Sequence, residues 1–342
     1  MFDYNSRIEK LQNKLCEKKV DAVLLAGMEG VNPNVYYYTG DTAFPTLALI
    51  TQTDSFMWST FEPHEVPAQS AYTKVNGFKN YRKEIKNELG KLKTLGLDAQ
   101  SDITAGLLLK EEKKNYAPVN LTKELLSFRE TKDKDEIKLI KQAQDVTKKA
   151  IHKVLDEDVN GLTEMQVAGK FEYNVRELGG TPDSFPIIVQ YGKASAVFHA
   201  STTNQKIDLK KAPLLLDCGA KSQFYCGDYS TTVYEGKDED VLKAMQAVKE
   251  SQTKAYAYAK VGDSGKKMTQ KAIDVLREFG YKDHTFSDVG LALGHHVGLQ
   301  VHDGYRSLQD IEKFENGMTF TNEPGLYFPG KFGVRFEDLA IL

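Results

Sequence analysis

The residues of this 342-residue chain that could do chemistry include two aspartates at the ends of apolar segments in its second half. Asp217 follows Leu214-Leu215-Leu216, and Asp228 lies eleven residues later, before another apolar segment. If Lys221–Phe224 forms the turn of a hairpin, the two carboxylates return to the same level on adjacent strands. They would then repel each other unless a proton or a metal ion lay between them. Taken alone, Asp217 could equally cap the turn that follows its strand.

Three further side chains extend this pattern toward a metal site. Glu323 and Glu337 close the strand-like segments Met318–Asn322 and Val334–Phe336, and glycines lie close to His295 on both sides. A carboxylate at the end of a buried strand must be neutralised, paired or bound to a cation. Four carboxylates and one imidazole suit Mn²⁺, Co²⁺, Fe²⁺ or Zn²⁺. Two bridging carboxylates would hold a pair of metal ions about 3.5–4 Å apart around a shared hydroxide.

These segments resemble the pita-bread metallopeptidase family, which includes methionine aminopeptidases, aminopeptidase P and prolidase. The family pattern is an Asp, a second Asp eleven residues later, a Gly-His, a Glu before Pro-Gly, and a Glu within Val-Arg-x-Glu-Asp. This chain has, in that order, DCGA at 217–220, Asp228, Gly294-His295, EPG at 323–325 and VRFED at 334–338. The match extends over residues 130–342 and implies a peptidase.

The resemblance also implies a role for each ligand. Asp217 would bind one metal ion, and His295 and Glu323 would bind the other, while Asp228 and Glu337 would bridge the two. Glu323 would also act as the base or proton carrier for the attacking water. The cofactor implied is a pair of divalent ions, with Mn²⁺ expected first and Co²⁺, Zn²⁺ or Fe²⁺ as alternatives.

Other residues of the chain match family positions that contact the substrate or the ligands. His302 would contact the scissile carbonyl or the leaving group, and His199 would lie on the opposite wall. Arg335 would fix the bridging carboxylates and border the substrate. The histidines without such a match are assigned to packing or to the surface: His64, His152, His284 and His296.

Arg306 bears on which peptidase this is. It occupies the place where prolidases carry an arginine, and the forked guanidinium suits the free carboxylate of a dipeptide. The resemblance therefore favours an Xaa-Pro dipeptidase acting on short proline-containing peptides. Two alternatives stay open: an Xaa-Pro aminopeptidase acting on longer peptides, and a non-catalytic pita-bread binding module, although all five ligands are retained.

The chain departs from the family pattern at three positions near the ligands. Thr231 stands where an arginine often braces the site, Asp303 replaces a commoner glutamate after His302, and Leu291 stands where a histidine is often found. These changes bear on efficiency and substrate preference more than on the metal ligands.

Apolar periodicity in the first 125 residues predicts an α/β domain that precedes the catalytic part. It resembles the creatinase-type domain of prolidases and aminopeptidase P through NVYYYTG at 34–40 and TLGLD at 94–98, and methionine aminopeptidases lack this domain. The predicted helices are Ser6–Lys18 and Asn80–Leu92, and the predicted strands are Asp21–Leu25, Tyr36–Gly40, Thr46–Thr51, Ser55–Ser59 and Thr94–Asp98.

The charged stretch Arg129–Lys138 is typical of a solvated turn and helix start, and it separates this domain from a catalytic domain over 130–342. Helices and antiparallel-looking strands mix there, which favours an α+β fold of the pita-bread type. The predicted helices are Asp135–Leu155, Thr163–Leu178, Glu239–Ala259 and Ser264–Phe279. The predicted strands are Pro186–Val189, Pro213–Leu216, Thr231–Tyr234, Met318–Asn322 and Val334–Ile341.

Composition restricts the class of protein. Hydrophobic residues make up 41% and charged residues 27% of the chain, and the net charge of -3 gives no reason to expect nucleic acid or an anionic membrane as partner. No apolar run approaches the roughly 20 residues that a membrane span needs. Three cysteines without CxxC spacing indicate reduced thiols, so we expect a cytoplasmic protein. By analogy with similar proteins we also expect a homodimer.

Overall fold

The computed structural model describes residues 2–28, 30–60, 71–98 and 116–342, and His64 lies outside these ranges. The chain divides into two units, Met1–Phe128 and Arg129–Leu342. No helix within the described ranges is both long enough and apolar enough to cross a bilayer. Every metal-ligand and substrate-contacting residue predicted above belongs to the second unit.

A six-stranded sheet forms the centre of the first unit. Its strands are β1 (Ala22–Gly27), β2 (Thr46–Thr51), β3 (Ser55–Ser59), β4 (Lys74–Gly77), β5 (Thr94–Leu97) and β6 (Ala117–Asn120). They lie in the order β4-β3-β2-β1-β5-β6, and β1 pairs antiparallel with β2 and parallel with β5. All six residues of β1 are buried, as expected of a central strand in a covered sheet. The helices are α1 (Tyr4–Lys18), α2 (Pro33–Thr39), α3 (Tyr81–Leu89) and α4 (Thr122–Phe128).

The strand end predicted at Tyr36–Gly40 is wrong, because these residues belong to helix α2 and its end. The side chain of Asn32 accepts hydrogen bonds from the backbone N–H groups of Asn34 and Val35, and Pro33 occupies the first turn. Gly40 then ends the helix with a φ of 67°. Three consecutive tyrosines favour a strand by composition, but the Asn-Pro start and the glycine stop are helix signals and they prevail.

The second unit mixes helices with short antiparallel ladders. Its helices are α5 (Lys134–Leu155), α6 (Glu164–Glu177), α7 (Glu239–Tyr256) and α8 (Gly265–Glu278). Its strands are β7 (Ile188–Tyr191), β8 (Leu214–Cys218), β9 (Lys221–Ser222), β10 (Tyr225–Cys226), β11 (Tyr229–Val233), β12 (Thr319–Asn322), β13 (Gly325–Phe328), β14 (Phe332–Arg335) and β15 (Asp338–Ile341).

Helix α5 begins in the charged stretch Arg129–Lys138, as predicted, but the prediction that this stretch is solvated is wrong for Arg129, Glu130, Lys132 and Glu136, which are buried. Asp133 caps it and forms a reciprocal capping box with Glu136. Its apolar face, with Ile151, packs in one core with Phe171 of α6 and Leu216 of β8. This packing fixes α5 behind strand β8, which carries Asp217.

The hairpin predicted between Asp217 and Asp228 is present with one addition. Strands β8 and β11 pair antiparallel, and Asp217 lies opposite Ser230. The small ladder of β9 and β10 fills the connection, and its turn is made by Gln223 and Phe224, both with positive φ, rather than by all of Lys221–Phe224. Asp228 directly precedes β11, whose first residue Tyr229 pairs with Cys218, so Asp228 lies beside the end of β8 that carries Asp217.

The C-terminal segment predicted as one strand, Val334–Ile341, is two strands. The chain leaves β14 after Arg335 and enters β15 at Asp338, and these strands belong to different ladders, β13 with β14 and β12 with β15. It makes the same switch between β12 and β13, at residues 323–324. Glu323 and Glu337 therefore both lie where the backbone changes ladder.

Candidate metal centre

Asp217 and Asp228 are the two carboxylates of the β8–β11 hairpin, and both are buried. Oδ2 of Asp217 accepts a 2.5 Å hydrogen bond from the Arg335 guanidinium. Oδ1 of each aspartate is buried and has no hydrogen-bond donor among the described residues. Buried carboxylate oxygens of this kind require a proton or a cation.

His295 is held against strand β12 by the backbone. Its N–H donates to Oγ1 of Thr321 at 3.0 Å, and Oγ1 of Thr321 donates to Oε1 of Glu323 at 2.9 Å. A side chain at Gly294 would collide with the carbonyl oxygen of Thr321 at 2.1 Å, so only glycine permits this approach. The Gly-His pair thus places the imidazole beside the Glu323 carboxylate.

The orientation of the His295 ring would suit a metal ligand. Nδ1 lies 3.2 Å from the carbonyl oxygen of His296. Since a carbonyl only accepts, Nδ1 of the neutral ring carries the proton, and Nε2 turns its lone pair toward Glu323 Oε1 at 3.3 Å and Asp228 Oδ2 at 3.6 Å. A lone pair that faces two carboxylates requires a cation or a proton between them.

Glu337 completes the cluster from the break between β14 and β15. Its backbone N–H donates to the carbonyl oxygen of Ser230 at 3.0 Å, and its carboxylate accepts a hydrogen bond from the Ser230 hydroxyl. One ligand atom each of Asp228, His295 and Glu337 lies within 4.8 Å of the others. These three groups could hold one ion together.

The cluster contains four carboxyl groups, so its potential negative charge exceeds the positive charge beside it. Burial, together with the neighbouring carboxylates, raises the pKa of Asp228 and Glu337 well above the usual values, and it also raises that of Asp217. Burial acts in the same sense on Glu323, but in the metal-free protein the hydrogen bond and charge of a protonated His295 hold the pKa of Glu323 below the usual value. Arg335 supplies one positive charge against four carboxyl groups, so the residues present fit divalent cations.

Arg335 lies behind the cluster and is fully buried. Besides Asp217, its guanidinium donates to Ser230 Oγ at 3.1 Å and to Tyr327 OH at 3.0 Å. Through Ser230 it connects Asp217 with Glu337. Its contacts are those of a residue that orients ligands.

A cavity of about 590 Å³ opens over these side chains. All five predicted ligands line it, as do His199 and His302. The rings of His302 and His295 lie 3.9 Å apart between centroids. His302 keeps an exposed face, but partial desolvation by its neighbours and the nearby His295 lower its pKa to about 4, so its ring is neutral at pH 7 and can donate a hydrogen bond.

Arg306 does not line this cavity. Its guanidinium donates to Oε2 of Glu130 at 2.9 and 2.6 Å, and the backbone N–H groups of Tyr305 and Arg306 donate to Oε1 at 3.0 Å each. Arg306 was predicted to bind the free carboxylate of the substrate. To do so, its guanidinium would have to turn away from Glu130.

Sequence reasoning missed two hydroxyl residues that hold the carboxylates, Ser230 and Thr321. Each lies two positions from an acidic residue, Ser230 after Asp228 and Thr321 before Glu323. Side chains two positions apart in extended backbone point to the same side. This spacing was the available signal.

Comparison with known proteins supports the same family along the whole chain. The sequence model of metallopeptidase family M24 matches residues 138–342, and that of the creatinase/prolidase N-terminal domain matches residues 7–131. An Xaa-Pro dipeptidase of Pyrococcus horikoshii is 30% identical over 99% of this chain and 94% of its own length. One from Pyrococcus furiosus is 29% identical over 98% of this chain and 94% of its own.

Solved structures give the same result. The prolidase from Pyrococcus horikoshii superimposes with a TM-score of 0.85 at 29% identity and covers 98% of this chain and 95% of that one. The X-Pro aminopeptidase from Thermotoga maritima gives a TM-score of 0.80 at 27% identity, over 97% of this chain and 93% of that one. The predicted fold, a creatinase-type α/β domain followed by an α+β pita-bread domain, is confirmed.

Proposed function

The chain belongs to metallopeptidase family M24, and on that premise we propose that it is an Xaa-Pro dipeptidase. The observation that carries the proposal is that all five predicted ligands line one cavity. The curated relatives of similar length from two Pyrococcus species bear this name and favour this activity over the alternatives.

We propose that Asp217 holds one divalent ion, that His295 and Glu323 hold the other, and that Asp228 and Glu337 bridge them. The Oδ1 atoms of both aspartates, which have no hydrogen-bond donor in the described part of the chain, support this set. Bound divalent ions would polarise the scissile carbonyl and acidify a shared water. Carboxylate-rich sites favour Mn²⁺, with Co²⁺, Zn²⁺ or Fe²⁺ as alternatives.

Side chains of the cavity would carry out the proton transfers of the reaction and bind the substrate. Glu323 would bind a metal ion only as the carboxylate, and in that form it can accept the proton of the attacking water. Neutral His302 can donate a hydrogen bond to the scissile carbonyl or to the leaving nitrogen. His199, which lines the same cavity, would contact the substrate from another wall. Phe185 and Val301 give the cavity apolar walls that suit a pyrrolidine ring.

A panel of peptides tests the proposal. Protein stripped of metal and reconstituted with Mn²⁺ is expected to hydrolyse dipeptides such as Leu-Pro, and to leave Leu-Ala and Pro-Leu intact. Chelation should abolish hydrolysis, and added Mn²⁺ should restore it. A protein that binds no metal and cleaves no member of the panel would instead be the non-catalytic binding module.

One observation favours Xaa-Pro aminopeptidase as a second candidate, namely the engagement of Arg306 by Glu130. If Arg306 nevertheless reads the free carboxylate of a dipeptide, Arg306→Ala should lower kcat/KM for Leu-Pro about 10-fold or more, and Arg306→Lys should restore only part of it. Hydrolysis of Leu-Pro-Gly by the same variants is the internal control. Equal losses on both peptides would exclude the carboxylate role.

We also propose that the domains run over 1–125 and 130–342, that the protein is cytoplasmic, and that it forms a homodimer. The sparse cysteines support the compartment. Light scattering of the purified chain measures the oligomeric state.

A further inference from the structure

Gln144 is a buried polar residue of α5 to which the proposed mechanism gives no role. It precedes Asp228 by 84 residues in the sequence, yet its side-chain amide contacts the backbone of Asp228 directly. It also contacts Asp338, the neighbour of Glu337. One amide group therefore lies between the two segments that carry the proposed bridging carboxylates.

The hydrogen bonds of this amide use both hydrogens of Nε2 and one lone pair of Oε1. Oε1 accepts from the Asp228 N–H at 2.8 Å, and Nε2 donates to the Asp228 carbonyl oxygen at 2.8 Å. The second hydrogen of Nε2 goes to Oδ1 of Asp338 at 2.9 Å. The pair of bonds to Asp228 imitates a strand partner, and it fixes the backbone from which that ligand projects.

A second residue of helix α5, Lys148, contacts the other carboxylate oxygen of Asp338. Nζ of Lys148, one turn after Gln144 on α5, lies 2.5 Å from Oδ2 of Asp338. Asp338 is the first residue of β15, so its contacts with Lys148 and Gln144 lie one residue from Glu337. Strand β11 (YSTTV) has no charged side chain of its own that could brace Asp228.

We propose that Gln144 is a positioning residue that sets the separation of Asp228 and Glu337, which rests on the bridging roles assigned to them under the proposed function. Two like charges that must share the same ions repel each other in the metal-free protein. Groups outside the ligand shell that hold ligands in place typically contribute about 10- to 100-fold in metal affinity or activity. Gln144 holds the first bridging carboxylate through its backbone and the second through Asp338.

The test is a calorimetric titration of metal-free protein with Mn²⁺, using variants of similar shape. Gln144→Met removes all three hydrogen bonds, and Gln144→Glu keeps only the acceptor for the Asp228 N–H. Both should weaken Mn²⁺ binding about 10- to 100-fold. Gln142 is the matched control, since it lies on the same helix but is exposed. Gln142→Met and Gln142→Glu should bind Mn²⁺ as the parent does.

Thermal unfolding of the metal-free proteins separates positioning from general stability. Parent-like Mn²⁺ affinity in a folded Gln144 variant would overturn the inference. So would loss of folding in both variants, since Gln144 would then serve the fold and not the ligands. If the parent protein binds no Mn²⁺, the proposed function itself is contradicted. If the parent binds two Mn²⁺ ions and the Gln144 variants bind them equally tightly, only this inference is contradicted.

Discussion

Glu337→Gln is expected to reduce kcat/KM for Leu-Pro by at least about 1,000-fold, more than loss of a group outside the ligand shell costs. The amide keeps the shape and can still accept the hydrogen bond from Ser230, but it cannot supply a bridging carboxylate. The metal-free variant should unfold at the parent temperature or above it. The reason is that burial and the charges of Glu323 and Asp217 already disfavour the ionised Glu337 carboxylate.

Activity measured at saturating Mn²⁺ and thermal unfolding without metal are the two readouts. Glu312→Gln, at an exposed position of the same unit, is the matched control and should change neither. A Glu337→Gln protein that keeps more than about a tenth of the parent kcat/KM would remove Glu337 from the ligand set.

Asp303→Asn is expected to lower the free energy of unfolding by about 3–5 kcal/mol, the usual cost of leaving buried charges without their partner. Arg129 donates to Oδ1 of Asp303 from two of its nitrogens, and Nζ of Lys132 lies 3.5 Å from Oδ2. All three side chains are buried. Burial opposes ionisation of Asp303, but the charges of Arg129 and Lys132 hold its pKa below the usual value.

Urea unfolding of the metal-free protein at pH 7 measures this effect. Asp310→Asn, which removes an exposed carboxylate from the same unit, should change the stability by no more than about 0.5 kcal/mol. Because Asp303 follows His302 directly, the variant should also lose peptidase activity. A loss of stability below about 1 kcal/mol would show that the two cations find other partners.

Much of the fold followed from local patterns. The strand predicted at Thr46–Thr51 is confirmed, and the helices predicted at Asp135–Leu155 and Ser264–Phe279 are present with small shifts at their ends. Local patterns failed where two signals competed, as at Tyr36–Gly40, and where the chain changes ladder without a turn signal, as within Val334–Ile341. Single-sequence periodicity does not report which ladder a strand joins.

The site likewise contains residues that local sequence patterns predict and residues that they do not. The five proposed ligands could be predicted because acidic residues at the ends of apolar strands and a Gly-His pair match a family pattern. Gln144 was not found, since it is one polar residue on the inner face of an amphipathic helix, and its partners are distant in sequence. The engagement of Arg306 by Glu130 was hidden for the same reason, because 176 residues separate them.

Anomalous scattering from a crystal of this protein grown with Mn²⁺ tests the central claim most directly. We predict two Mn²⁺ peaks, with Asp228 and Glu337 bound to both ions, Asp217 to one, and His295 and Glu323 to the other. No peak within this cluster, or peaks bound by other residues, would contradict the dinuclear site and the peptidase mechanism built on it.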